Sequence, residues 1–197
     1  MTNDGPFTRE LEARLAKRLG VQHCVATRNG TLALQLAVRA LGLRGEVIVP
    51  SFTFVATANA LAWEGLRPVV CDLRPGTHSI DPAHAAALVT PRTAAIVGVH
   101  LWGIPCDIEA LAEAARRRNL RLLFDAAHAF DCTHRGRPIG GFGDAEIFSF
   151  HATKYFHTSK AARSRPTMTP WRRGCTAYAT TASPVSMRSP RWAPTPR

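Results

Sequence analysis

No apolar run in this 197-residue chain is long enough to span a bilayer, and the opening MTNDGPFTRELEARL contains no apolar segment of the signal-peptide kind. The expectation is a cytoplasmic protein with no membrane partner. Paired cysteines are also lacking. Cys24, Cys71, Cys106, Cys132 and Cys175 are odd in number, and no two form a C-x-x-C pair. This argues against a disulfide framework and against a zinc site, leaving reduced, mostly buried thiols and no metal. No internal repeat is present. A further absence is local: residues 159–197 contain no Asp or Glu, against eight basic side chains (Lys160, Arg163, Arg165, Arg172, Arg173, Arg188, Arg191 and Arg197). Removing those eight from the 25 basic residues leaves 17 against all 14 acids in residues 1–158, a net charge of only +3 out of the total +11. The basic balance therefore belongs to the tail, and it does not make the first 158 residues a nucleic-acid binder.

What is present over residues 8–150 is an alternation of helical patterns with short apolar strands. Helices are predicted at 8–20, with Thr8 as cap and Gly20 as stop, and at 31–43, 53–65, 81–89 and 107–119. The fourth opens on Asp81-Pro82, a cap followed by proline at the first helical position. The fifth carries acids early and three arginines late, as the helix dipole favours. Strands are predicted at 23–27, 46–50, 67–73, 93–100, 121–125 and 145–150. Apolar strands without strict alternation, separated by helices, predict an α/β fold: a mostly parallel sheet with helices on both faces. Ligands of such sheets bind beyond the carboxyl ends of the strands.

The residues at those ends are therefore the candidates. After the first strand, "RNGTLAL" (28–34) places Gly30 and Thr31 at a helix start, where N–H groups and a hydroxyl suit an anion; the same residues also make an ordinary cap, and an N-x-T sequon. After the second strand, Phe52 and Phe54 could stack on a flat ligand or simply enter the core. "DAAHAF" (125–130) places Asp125 at the end of a strand with His128 three residues on; an Asp there can pair with a buried cation or cap a helix. Ser149 and "HATK" follow the last strand. Lys154 becomes a Schiff-base nucleophile if burial lowers its pKa, and is otherwise a solvated charge. Anion cradle, aromatic ring, strand-end Asp with a following His, then Ser and Lys, in that order, are the groups required by an aldehyde cofactor with a phosphate and a pyridine ring, pyridoxal 5′-phosphate (PLP).

The stretches RNGTLALQLAV, VIVPSFTFVATANAL, VGVHLWGIPCDIEAL, LLFDAAHAFD and FSFHATK make the chain resemble the DegT/DnrJ/EryC1/StrS family of PLP-dependent sugar aminotransferases, of fold type I, over residues 8 to 158. The resemblance implies that residues 1–158 are the N-terminal part of a PLP-binding large domain. It implies that Lys154 holds the cofactor covalently and Asp125 pairs with its ring nitrogen. Phe54 would stack on the ring and His128 would lie beside the ring hydroxyl. Thr31, the Leu32 backbone N–H and Ser149 would hold the phosphate. It further implies an amino donor, glutamate in most of the family, a nucleotide-linked keto-sugar as acceptor, and a homodimer. A lysine rather than a histidine at position 154 separates the chain from the dehydratase members.

The resemblance stops where family members continue from HATK into Glu-Gly-Gly and an apolar strand. Ser159 to Pro166 can be encoded TCG AAG GCG GCG CGA TCG CGA CCG, which from its third base reads Glu-Gly-Gly-Ala-Ile-Ala-Thr. The expectation is that residues 159–197 are an out-of-frame, irregular Pro/Arg/Ser/Thr-rich tail and that the chain is a truncated, inactive form. Two other readings remain: a non-catalytic PLP- or nucleotide-binding fragment, and a nucleic-acid binder through the basic tail, with Trp171 and Trp192 as stacking groups.

Overall fold

The computed structural model describes residues 5–156 and the strand at 177–181. In chain order the elements are α1 (Pro6–Leu19), β1 (His23–Thr27), α2 (Gly30–Ala40), β2 (Glu46–Pro50), α3 (Val55–Trp63), β3 (Arg67–Cys71), α4 (Pro82–Ala87), β4 (Thr93–Val99), α5 (Ile108–Arg117), β5 (Arg121–Asp125), the two-residue strands β6 (Thr133–His134) and β7 (Arg137–Pro138), β8 (Ala145–Ser149) and β9 (Ala177–Thr181). Local chemistry explains the helix ends. The first helix begins two residues before the Thr8 cap expected from sequence: Gly5 takes the cap position and Pro6 the first turn, where its fixed φ costs nothing. Asn29, Asp81 and Asp107 cap α2, α4 and α5 through their side chains. The last helix stops at Arg117 rather than residue 119, because Asn119 adopts a left-handed φ of 53°.

Seven strands form one sheet in the order β1-β9-β8-β5-β4-β2-β3. β2, β3, β4, β5 and β8 are mutually parallel, while β9 runs antiparallel to both β1 and β8. The expected mostly parallel sheet is therefore observed. One face packs Leu15 and Leu19 of α1 and Ile108, Leu111 and Ala115 of α5 over Ile48, Ile96, Phe124 and Phe148. The other packs Leu34, Ala37 and Val38 of α2 and Ala60 and Leu61 of α3 over Val47, Val97, Leu123 and Ile147. Covering both faces is why these strands read as continuous apolar runs. At Gly98 a Cβ would sit 2.7 Å from the Phe124 ring and 3.0 Å from Cys106 Sγ, so only glycine lets that ring lie flat across β4.

Cys24, Cys71 and Cys106 are buried and free, as is the half-buried Cys132; burial pushes the thiols of Cys24 and Cys106 up to about 12 and that of Cys71 to about 11. These four mostly buried thiols match the sequence reading, and Cys175 lies outside the described residues. Among the described residues no helix is long and apolar enough to cross a membrane, and no cluster of metal-ligating side chains occurs.

Ala177–Thr181 departs from the expectation of an irregular tail. It fills a gap one strand wide between β1 and β8, pairing His23↔Thr181 on one side and Ser149↔Ala177 on the other. Backbone pairing between two open edges asks for little beyond small, β-branched or aromatic residues, and Ala-Tyr-Ala-Thr-Thr supplies them. The expected change of character at residue 159, the domain boundary placed there, and the remainder of the tail lie outside the described residues.

Candidate active site

The carboxyl ends of β4, β5 and β8, the amino end of α2 and the start of α3 surround a cavity of about 340 Å³. Asp125 ends β5 and is almost fully buried, with 7 % of its surface exposed. Its Oδ2 accepts a hydrogen bond from Thr57 Oγ1 at 2.8 Å, and its Oδ1 accepts the Ala127 N–H at 3.1 Å. Thr57 has one hydroxyl proton and gives it to the carboxylate, so in its 3.0 Å contact with Thr53 it is the acceptor. Both donors to Asp125 are neutral, and no cation hydrogen-bonds it among the described residues. A buried carboxylate so arranged suits a cationic partner placed in the cavity.

Lys154 lies on a compact turn after β8. Its N–H donates to the His151 carbonyl at 2.9 Å, and the His151 ring nitrogen Nδ1 accepts the Thr153 N–H at 3.3 Å. Burial lowers the Lys154 pKa below the ordinary lysine value; the Asp125 charge works in the other direction and is outweighed. The amine is thereby held closer to its neutral, nucleophilic form. His128 accepts the Trp102 N–H on Nδ1 at 3.3 Å, which puts the ring proton on Nε2. Burial chiefly, and then the Lys154 charge, lower its pKa, with Asp125 opposing.

The opposite end of the cavity offers hydrogen-bond donors at a helix start. Asn29, Gly30 and Thr31 line it at the start of the 11-residue α2, and Ser149 faces them from the end of β8. The Gly30 and Thr31 N–H groups have no hydrogen-bond partner among the described residues. Phe54, 70 % exposed, stands in the cavity wall at the cap position of α3. Six of the seven sequence candidates, Thr31, Phe54, Asp125, His128, Ser149 and Lys154, thus line one space. Leu32 does not line it. Its N–H is already taken by Asn29 Oδ1 at 2.8 Å, because an Asn cap competes for the donor two or three residues on.

Four contributors were not singled out from sequence. Asn29, Thr53 and Thr57 act through local hydrogen bonds, and the one available signal was the four-residue spacing of Thr53 and Thr57 on a helix start. The fourth, His100, directly follows β4 and is fully buried. It stacks on Phe124 with centroids 4.9 Å apart, accepts the Cys106 N–H on Nδ1 at 3.2 Å, and directs Nε2 toward Glu146 Oε1 at 3.5 Å.

The sequence profile of the DegT/DnrJ/EryC1/StrS aminotransferase family matches residues 1–161. The chain belongs to this family. It is 46 % identical over 157 residues to a dTDP-4-amino-4,6-dideoxy-D-glucose transaminase of Shigella dysenteriae, covering 80 % of this chain and 43 % of that protein. It is 45 % identical to a GDP-perosamine synthase of Caulobacter vibrioides, with 79 % and 43 % covered. The chain thus spans less than half the length of these curated relatives. Among solved structures, DesI in the presence of its TDP-sugar product superposes with a TM-score of 0.80 at 49 % identity, over 91 % of this chain and 42 % of that one. A sugar aminotransferase, Spr1654 of Streptococcus pneumoniae, in its PLP form superposes with a TM-score of 0.80 at 30 % identity, over 92 % and 47 %. The family's fold and its sugar-aminotransferase class agree with the sequence reading.

Proposed function

We propose that this chain carries the cofactor half of a PLP-dependent aminotransferase that moves an amino group from an amino acid, glutamate by the family's habit, to a nucleotide-linked keto-sugar. The single observation that carries this reading is the meeting of Asp125, Lys154, His128, Thr31, Ser149 and Phe54 around one cavity. The residues fit the cofactor: a cation-seeking buried carboxylate, an amine of lowered pKa, an aromatic wall, and a helix start with unspent N–H groups, each where a different part of the molecule requires it. When bound, PLP supplies an aldehyde carbon and a ring that accepts electron density. Lys154 Nζ is the nucleophile toward that aldehyde and the base that takes the proton from the α-carbon of the amino donor. Asp125 keeps a proton on the ring nitrogen. Its own orientation is set by Thr57 and the Ala127 N–H. His128 would present Nε2–H to the ring hydroxyl. Thr31, Ser149 and the Gly30 N–H would hold the phosphate, and Phe54 would cover a ring face. The sugars on dTDP and GDP for which the relatives are named support the acceptor class.

The reading includes a PLP-binding part over residues 1–158, to whose sheet the Ala177–Thr181 strand adds, and a homodimer in complete members. It also includes inactivity of this chain, because the sequence from residue 159 onward lacks the Glu-Gly-Gly and apolar strand with which family members continue. Borohydride reduction after incubation with PLP, followed by peptide mapping, tests the assignment. Label is expected on Lys154 and not on Lys17 or Lys160; label on Lys17 instead would refute it. Transamination of a nucleotide keto-sugar is expected from a gene corrected by one base near codon 159 and not from the 197-residue chain.

A further inference from the structure

His100 and Glu146 are fully buried titratable residues to which the cofactor chemistry gives no task. Glu146 lies on β8, three residues before Ser149, and His100 directly follows β4 in the wall of the cavity. Glu146 Oε2 accepts the Phe142 N–H at 3.0 Å, and Oε1 faces His100 Nε2 at 3.5 Å. His100 Nδ1 accepts the Cys106 N–H at 3.2 Å. An accepting Nδ1 puts the ring proton on Nε2, toward the Glu146 carboxyl. Stacking on Phe124, with the two rings 16° from parallel, fixes the plane of the imidazole.

The Cys106 N–H is the far end of a short loop that begins at His100 itself. Inside that loop the Ile104 N–H donates to the Leu101 carbonyl at 2.9 Å, and Trp102 holds a φ of +54°, an uncommon backbone for a bulky side chain. Such a conformation persists only where its surroundings hold it. Here one residue holds both ends: the His100 N–H donates to the Asp125 carbonyl at 3.0 Å, and the His100 ring accepts from Cys106. From this strained position the Trp102 N–H reaches His128 Nδ1 at 3.3 Å. The contacts thus run from Glu146 through His100 and the loop to His128.

We propose that His100, oriented by Glu146, is a positioning residue for His128: by closing the loop over residues 100–106 it holds the Trp102 N–H on His128 Nδ1 and so decides which His128 nitrogen carries the proton. The loop closure stands on this geometry alone. That the proton serves the cofactor's ring hydroxyl rests on reading the cavity as the PLP site.

Nitrogen-15 NMR of the histidine rings in the full 197-residue chain, without cofactor, tests this. His128 is assigned by the resonances lost in His128→Gln, and His100 by those lost in His100→Asn. In the unaltered chain both rings are expected as the Nε2–H tautomer. His100→Phe keeps a flat ring against Phe124 and removes both nitrogens; His128 is expected to lose its single tautomer and become a mixture. His100→Asn returns an acceptor near the Nδ1 position and is expected to restore the Nε2–H form of His128. Glu146→Gln places an amide NH2 opposite one of the two N–H groups that the carboxyl faces, and a change of tautomer at His100 is expected to carry His128 with it. An Nδ1–H or doubly protonated His100 in the unaltered chain would overturn the proposal without any variant having to fold. So would an unchanged His128 in His100→Phe, an Asn variant no better than the Phe variant, or a shift at His100 in Glu146→Gln that leaves His128 as it was. Borohydride labelling by PLP, run in parallel, separates the two readings: the expected tautomers with no label on Lys154 would uphold the role of His100 and refute the PLP site.

Discussion

Thr57 Oγ1 donates to Asp125 Oδ2 at 2.8 Å, joining two residues 68 positions apart in the chain and tying helix α3 to the end of strand β5. The bond is buried and its acceptor is charged, so its loss is costly. Thr57→Val keeps the shape and removes the donor. It is expected to destabilise the fold by about 1.5–3 kcal/mol, measured by urea unfolding, and to weaken PLP retention because Asp125 loses half of its support. Unchanged stability together with unchanged PLP binding would show that Thr57 does not hold the carboxylate.

The lowered pKa of Lys154 has a sign that can be followed. Burial outweighs the attraction of Asp125, so the amine loses its proton at lower pH than an ordinary lysine. The pH dependence of borohydride-trapped PLP on Lys154 is expected to reach half its maximum below the ordinary lysine range. Asp125→Asn removes the one opposing influence and should move that midpoint lower still. The unfolded chain binds the extra proton between the folded and the ordinary pKa, so this group makes stability rise with pH across that window. An upward shift in Asp125→Asn would contradict the assignment.

His128 offers a two-sided test. Its pKa is lowered first by burial and next by the Lys154 charge, and raised by Asp125. Followed by NMR, the His128 pKa is expected to rise in Lys154→Met and to fall in Asp125→Asn. Stability from this group is lost as pH falls through the ordinary histidine value, where the unfolded chain protonates first. Protonation also removes the lone pair that accepts the Trp102 N–H. Shifts of the same sign in the two variants would separate His128 from Lys154 and Asp125.

Gly98 tests the packing behind the site. A Cβ there meets the Phe124 ring at 2.7 Å, and that ring carries the stacked imidazole of His100. Gly98→Ala is expected to cost about 1–3 kcal/mol by overpacking, read as a fall in thermal midpoint. A neutral effect would mean that β4 and β5 can separate freely at this point.

Much of this site was legible in the sequence because its residues sit where chain direction alone puts them. Asp125, Ser149 and Thr31 follow strands at the same end of a parallel sheet, and so converge whatever the side-chain packing. Thr57 and Asn29 were not legible in the same way. Their roles depend on which donor reaches which acceptor, and that is decided by helix starts that sequence patterns locate only within a residue or two. The Leu32 N–H shows the effect: one cap residue decides whether that donor faces the cavity or its own helix. His100 read as part of an apolar strand, and the Phe124 ring it stacks on lies where a Cβ at position 98 would press against it. Strand β9 was illegible for another reason. Its place follows from the gap between β1 and β8 and not from any pattern of its own.

That gap dictates an order of assembly. Among the described residues β1 hydrogen-bonds to the sheet through β9 alone, and β1 is the first described strand and β9 the last. The strand that emerges earliest in synthesis must therefore wait for residues 177–181 before its pairing is complete, while β2 to β8 can already be joined. Such late closure of distant segments is slow, and leaves an unpaired edge exposed in the interval. The amino end of α2 follows β1 directly, yet Leu34, Ala37 and Val38 of that helix already pack over Val47, Val97, Leu123 and Ile147, so this wall of the site is held by the sheet face even while the β1 edge is open.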